Sequence, residues 1–376
     1  MKTFTMVIFF MICNISTMII AVLTPYITRK TVSFSVTIPE DVHSYPEIKN
    51  IEKNYIKKVL ITCGIIFLAV LTAILIKASD LIFLLIPASM ILNIFVMYVF
   101  YMDSRKKMEE LKEKENWAAG RTQTVVIDTG FRNRKLTLSP LWFALYAIII
   151  IITAAIGILL YDKIPARIPM HWNIDGVADK WVDKSYRTIM WAPVAQIFLT
   201  FTMMLCYWSI AKSKQVIDPA NPEVSSEQNR LFKYRWSCFI IFTGLALLIM
   251  FLLIEFFSFG FLKNTWFMTA AIVLFPLSIL IASIILSIKT GQGGSRINIK
   301  GSKEGNIANK VINRDVDKYW KLGLIYYNPD DPSIFVEKRF GVGVTINFGR
   351  PGAWMVIIGF IVLLAAFSIA ITIFTR

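Results

Sequence analysis

The sequence predicts an α-helical integral membrane protein with about eight transmembrane helices and a small cytoplasmic α+β domain assembled from several loops. Three observations lead there. Hydrophobic residues make up 56% of the 376 and charged residues only 17%, against about 25% charge in soluble proteins; the mean hydropathy is +0.60. The apolar residues gather in runs close to the roughly 20 that a helix needs to cross the hydrocarbon core. The 40 Lys and Arg residues are shared very unevenly among the connecting segments. This composition excludes collagen-like, disordered and disulfide-scaffold classes.

The runs lie at 5–27, 59–76, 81–101, 141–161, 189–210, 236–257, 266–288 and 354–374. They are apolar all round, without a period of two or 3.6, as lipid-facing helices are. An outer-membrane barrel would instead show alternating ten-residue strands. The first run begins with Lys2 and resembles a signal peptide. Its length, the lack of a clear small-x-small site and the Arg29-Lys30 flank favour an uncleaved helix. The second run is the shortest and turns back into the third through Lys77-Ala78-Ser79-Asp80. Counting it fixes the even parity on which orientation depends.

Lys and Arg orient the spans. Segments 28–58, 102–140, 211–235 and 289–353 hold 31 of the 40 basic residues, and the opposite set, including both ends and 162–188, holds nine. The first set is therefore expected in the cytoplasm and both termini outside. The organisation is three spans with cytoplasmic loop 28–58 (1–101), a cytoplasmic loop (102–140) and two spans flanking outer loop 162–188 (141–210). A cytoplasmic loop with two more spans (211–288), a strand-rich cytoplasmic region (289–353) and a last span (354–376) complete it. The formal charge of +15 is a topology signal, and no nucleic-acid partner is expected. Cys13, Cys63, Cys206 and Cys238 all fall in spans, so no disulfide framework is implied.

The cytoplasmic segments carry strand signals. Val32, Phe34, Val36 and Ile38 alternate with polar residues, as do Val342, Val344, Ile346 and Phe348; 125–127 and 334–336 are shorter candidates. Since a lone hairpin is marginal in water, strands near Phe34 and Ile346 are expected to share one sheet. Asn328-Pro329-Asp330-Asp331-Pro332 reads as a turn. Residues 39–58 should contain a helix running into the second span, and 103–117 should extend the third. Gly291-Gln292-Gly293-Gly294-Ser295 reads as a flexible linker, since it lacks the GK[ST] ending of a phosphate loop.

The densest chemistry is in the outer loop: IPMHWNIDGVADKW, residues 168–181. It holds one of the two histidines, two of the ten tryptophans and two aspartates. Asn173 to Gly176 reads as a turn, and Trp172 and Trp181 suit a membrane interface. The candidate ligand-binding or structural residues are Arg167, Pro169, His171, Trp172, Asn173, Asp175, Gly176, Asp179 and Trp181. A metal site needs three or four ligands; Asp175, Asp179 and Asp183 have no second outer histidine or cysteine to join His171, so no metal or cofactor is assigned. His171 and the aspartates are expected to hydrogen-bond the loop into one shape.

The run IPMHWNIDGVADKW resembles the signature of domain-of-unknown-function family 1648, which includes SdpI-related immunity proteins that protect sporulating cells from their own secreted toxic peptide. The run YWKLGLIYYNPDDPSIFVEKRFGVGVTINF, residues 319–348, resembles a second uncharacterised family, 5808, that often accompanies the first. Segments 34–55 and 125–135 also resemble loops of that combined architecture. The resemblance implies a bacterial plasma-membrane protein and suggests an immunity or signalling role.

Few polar residues interrupt the spans: Asn14, Asn93, Gln196 and Glu255. Glu255 is expected at the interface near the outer end of the sixth span, or else paired with Arg167 or His171. Pro87, Pro193 and Pro276 could kink helices, but no midplane charge accompanies them, unlike many coupled carriers. With no HExxH, GxSxG or paired intramembrane aspartates, no enzymatic activity is expected. The leading reading is an outer loop that binds or senses an extracellular peptide or small ligand, with the cytoplasmic region recruiting a protein partner. A transporter of small amphiphilic molecules is the alternative, and an intramembrane enzyme the second alternative.

Overall fold

The computed structural model describes residues 2–76, 82–117, 119, 121–126, 128, 130–131, 134–173, 177–299 and 311–375. The long helices are α1 (Lys2–Ile27), α2 (Pro46–Leu75), α3 (Ile82–Glu115), α4 (Phe143–Leu159), α5 (Trp191–Lys212), α6 (Pro222–Ser258), α7 (Thr265–Thr290) and α8 (Pro351–Phe374). The strands are β1 (Val32–Ser33), β2 (Val36–Thr37), β3 (Thr122–Thr124), β4 (Arg167–Trp172), β5 (Ala178–Asp183), β6 (Val311–Asn313), β7 (Trp320–Lys321), β8 (Ile325–Tyr326), β9 (Phe335–Glu337) and β10 (Val344–Ile346). Among the described residues eight helices are long and apolar enough to cross a membrane, as the runs predict. The apolar stretches of α7 and α8 bury 0% of their residues. Such faces suit lipid and would be a liability in water. The hairpin expected at 77–80 lies outside the described residues.

The chain forms two units. The first comprises residues 1–134, 213–232 and 284–350. Within it the Asn93 amide donates to Asn14 Oδ1 at 2.8 Å, joining α3 to α1 with both side chains fully buried. Hydrogen bonds between small amides hold apolar helices together where no hydrophobic drive exists. Helices α2 and α3 continue as polar helices beyond their apolar stretches, as expected for 39–58 and 103–117; Pro46 starts α2, where its missing N–H costs nothing.

One expectation is corrected here. Among the described residues the strands form five two-stranded sheets, not one. Phe34 and Ser35 take φ of 45° and 64°, which folds 32–38 back on itself as the hairpin β1–β2 rather than a continuous strand. Left-handed backbone costs of order 1–3 kcal/mol per non-glycine residue, and packing offsets it. The Phe34 ring lies 5.3 Å from Tyr55 and 5.7 Å from Phe340, and Tyr101 donates to Ser35 Oγ at 2.8 Å. Val36 and Ile38 are also buried, but so are Ser33 and Ser35; the alternation found apolar residues of the core without dividing the segment into a buried and an exposed face. The region around β9–β10 reaches this hairpin through side chains: Arg339 donates to Ser35 O at 2.9 Å and to Thr37 Oγ1 at 2.8 Å. The 125–127 strand signal is displaced to β3, which pairs in parallel with β6; Ile127 lies outside the described residues. The 334–336 and 342–348 signals become β9 and β10, paired antiparallel.

Two side chains organise this unit. Asp317 accepts from Thr37 N–H at 3.1 Å, Thr37 Oγ1 at 2.6 Å and Lys112 Nζ at 2.7 Å, and from the Arg339 guanidinium. Asn347, fully buried, donates to the carbonyls of Asn328, Asp331 and Ser333 and accepts from the Asn328 and Gly349 N–H groups. The 328–332 turn forms as read, with Asp330 N–H on Asn328 Oδ1 at 3.1 Å.

The expected flexible linker at Gly291–Ser295 is also corrected. Residues 291–294 are buried in a tight turn. Gln292 donates to Gly343 O at 3.1 Å and accepts from its N–H at 2.8 Å. A Cβ on Gly294, at φ 85°, would stand 2.1 Å from Gln228 O. Glycine supplies a left-handed turn against a neighbouring backbone, a use that composition cannot tell from flexibility.

The second unit comprises residues 135–212, 233–283 and 351–376. Gln196 of α5 donates to Thr153 Oγ1 of α4 at 3.0 Å and to Leu248 O of α6 at 2.9 Å. Tyr146 of α4 donates to Ile241 O at 2.6 Å, passing over Gly244, where any Cβ would collide with the phenol. Phe198 stacks on Phe367 at 4.2 Å, joining α5 to α8.

Candidate functional site

The 168–181 motif folds as an antiparallel hairpin, β4–β5; of the turn expected at 173–176, residues 174–176 lie outside the described residues. The alternation Ile168, Met170, Trp172 was the available strand signal. Arg167 pairs opposite Asp183, Ile168 opposite Val182 and Pro169 opposite Trp181. The register then shifts on both sides of His171, a bulge of the kind that re-aims side chains.

One face of the hairpin is its anchor. Ile168 is fully buried with Ile164, Ile189 and Phe259, and Met170, Met190 and Phe261 pack around them. Trp172 is half-buried with its ring 5.4 Å from Phe257 of α6. The base is tied by Lys184, which donates to Tyr161 O at 3.2 Å and Ile164 O at 3.0 Å while sitting 4.7 Å from the Tyr161 ring. Tyr161 stacks on Tyr186 at 4.2 Å. A hairpin alone is marginal; this apolar base makes a fixed platform of it.

The other face is exposed. His171 Nδ1 and Asp179 Oδ1 lie 2.5 Å apart across the strands. Both side chains stand largely in solvent, at 64% and 44%, where an ion pair adds about 0–1 kcal/mol. The pair therefore orients the imidazole more than it stabilises the fold. Arg167 and Asp183 approach to 3.9 Å, again exposed. Trp181 is 46% exposed and Val177 60%. At the tip, Asn173 Oδ1 accepts from Val177 N–H at 3.0 Å and the Asn173 N–H donates to Val177 O at 2.9 Å. Asp175 and Gly176, two of the candidate residues, lie outside the described residues.

The structure thus brings His171, Asp179, Arg167 and Trp181 onto one hairpin, with Pro169 opposite Trp181 and Trp172 as its anchor. Among the described residues no three His, Cys, Asp or Glu side chains gather as a metal site would require. All four cysteines are free.

Glu255 departs from expectation. It is fully buried rather than interfacial, and neither carboxyl oxygen has a hydrogen-bond partner among the described residues. It pairs with neither Arg167 nor His171. Trp191 Nε1 and Ser258 Oγ, also in this unit, are likewise buried without partners. Its burial is a tertiary property that sequence position alone could not reveal.

Comparison with known proteins bears out the two resemblances read from the motifs. No curated protein and no solved structure matches the chain. Residues 148–197, which contain the hairpin, match the domain of unknown function DUF1648, and residues 329–354, running from the 328–332 turn into α8, match the family of unknown function DUF5808.

Proposed function

We propose that this multi-pass protein lies in a bacterial plasma membrane with both termini outside, and that its β4–β5 hairpin recognises an extracellular peptide or small ligand. The observation that carries this reading is the division of the hairpin into an apolar anchored face and a rigid exposed face. On the exposed face Trp181 and Val177 offer apolar contact beside the His171–Asp179 pair. Aromatic residues flanked by oriented polar groups are the usual composition of recognition surfaces. The basic loops of the first unit, expected in the cytoplasm from the uneven distribution of Lys and Arg, would recruit a protein partner. An immunity or signalling role against a membrane-active peptide fits this arrangement, and the reading requires no catalysis or cofactor.

The test uses a peptide-sensitive host that produces wild-type protein, Trp181→Ala or His171→Gln at matched membrane abundance. It is challenged with the low-molecular-mass peptide fraction of the source cells' spent medium. The reading expects wild-type protein to raise survival and Trp181→Ala to abolish the effect. Equal survival with and without the protein would overturn it. The second reading, a carrier of small amphiphiles, is favoured by the buried Glu255, which has no hydrogen-bond partner among the described residues, since intramembrane ionisable groups mark transport pathways. In that case Glu255→Gln would stop uptake of a labelled amphiphile while hairpin variants would not.

A further inference from the structure

The first unit contains a cleft of about 170 Å³ that the hairpin does not share. Its apolar wall is formed by Val125, Val216, Trp320 and Val336. Val125 is 59% exposed and opens the wall to solvent, while Trp320 and Val336 form its buried floor, with the Arg339 guanidinium 5.5 Å from the Trp320 ring. For scale, a dry apolar cavity of about 150 Å³ accommodates benzene. The space fits one ring or a chain of comparable bulk.

The rim is basic. Arg29, Lys214 and Arg339 line the cleft already engaged: Arg29 with Glu337 at 2.8 Å, Lys214 with Asp331 at 2.7 Å and Arg339 with Asp317. These pairs fix the walls. Arg314 and Lys338 also line it, and neither pairs with a carboxylate among the described residues. An apolar floor beneath uncompensated cations is complementary to a molecule with an apolar body and an anionic head. Arginine in particular grips carboxylates in bidentate geometry.

We propose that this cleft is a binding site for a small amphiphilic anion of the size of an aromatic carboxylate, with its ring against Trp320 and Val336 and its carboxylate held by Arg314 and Lys338. The site lies wholly within the first unit and does not depend on the hairpin's function.

Benzoate is the probe, and the full-length protein in nanodiscs of zwitterionic lipid is the sample, so that anionic lipid does not compete. Calorimetry or saturation-transfer NMR should show saturable benzoate binding that weakens with added salt. Benzyl alcohol, which keeps the ring and lacks the charge, should bind about tenfold more weakly. The Arg314→Gln/Lys338→Gln double variant should lose about tenfold for benzoate and little for benzyl alcohol. Val125→Trp, which fills the cleft from an exposed position, should abolish both. Unliganded unfolding midpoints equal to wild type establish that the variants fold. Absence of saturable binding, equal affinity for the two probes, or full benzoate affinity in the double variant or in Val125→Trp would each overturn the proposal.

Discussion

Asp317→Asn should be the most damaging single-atom exchange in the first unit. Asp317 accepts from Thr37, Lys112 and Arg339, and its side chain is 17% exposed against 9% for Arg339. Burial alone would raise its pKa; the Arg339 guanidinium and the Lys112 ammonium outweigh burial and hold the carboxyl well below the usual range. The amide keeps the volume and the Thr37 contacts but leaves Arg339 buried without its counter-charge. Breaking a buried ion pair from one side costs about 3–5 kcal/mol, and residual exposure brings the expectation to about 2–4 kcal/mol. At about 2–4 °C per kcal/mol for a cooperative unit of this size, the unfolding midpoint should fall by on the order of 5–10 °C. The assay is thermal unfolding of purified protein at a fixed scan rate, since unfolding of membrane proteins is often irreversible. Adding Arg339→Met removes the stranded charge, so the double variant should lose less than the sum of the singles by about 0.5–3 kcal/mol. An Asp317→Asn midpoint within about 1 °C of wild type, or strictly additive losses, would refute the reasoning.

Gly294→Ala should cost more than about 2 kcal/mol, since it combines left-handed strain with a clash against backbone at Gln228; a neutral effect would restore the flexible-linker reading. Burial, followed by Lys49 and Lys30, holds His43 down to about 4. The unfolded chain therefore binds the extra proton first, and stability contributed by this group should be intact above about pH 6.5 and decline as pH falls toward 4; His43→Gln should flatten that part of the stability profile. Trp172→Ala, which strips the ring packed on Phe257, should reduce stability by roughly 1–3 kcal/mol. His171→Gln at the exposed pair should change stability by less than about 1 kcal/mol; the opposite order would make His171 the structural centre of the hairpin.

The spans were legible because lipid imposes a single demand, apolarity on every face over a fixed length, that composition records directly. The polar extensions of α2 and α3 were legible for a related reason: helical register continues once set. The pairing of strands was not. Each described strand of the first unit is two or three residues long, and its place depends on side chains distant in sequence, such as Arg339 on Ser35 O and Asn347 on three carbonyls. Phe34 and Ser35 turn where no glycine or asparagine announces it, held by rings from α2, α3 and residue 340. In the candidate site the residues were legible but their arrangement was not: His171 and Asp179 meet only through the bulged register of the hairpin. Glu255 was misjudged because burial at a helix end is decided by what packs over it.

The central claim is that the hairpin faces outside and the first unit's strands face the cytoplasm. Replacing the four native cysteines and placing one at Asp183, an exposed hairpin residue, or at Asp330, exposed in the 328–332 turn, tests it with a membrane-impermeant thiol reagent. The account predicts that Asp183→Cys is labelled in intact cells and Asp330→Cys only after permeabilisation. Labelling of Asp330→Cys in intact cells, with Asp183→Cys protected until permeabilisation, would contradict it.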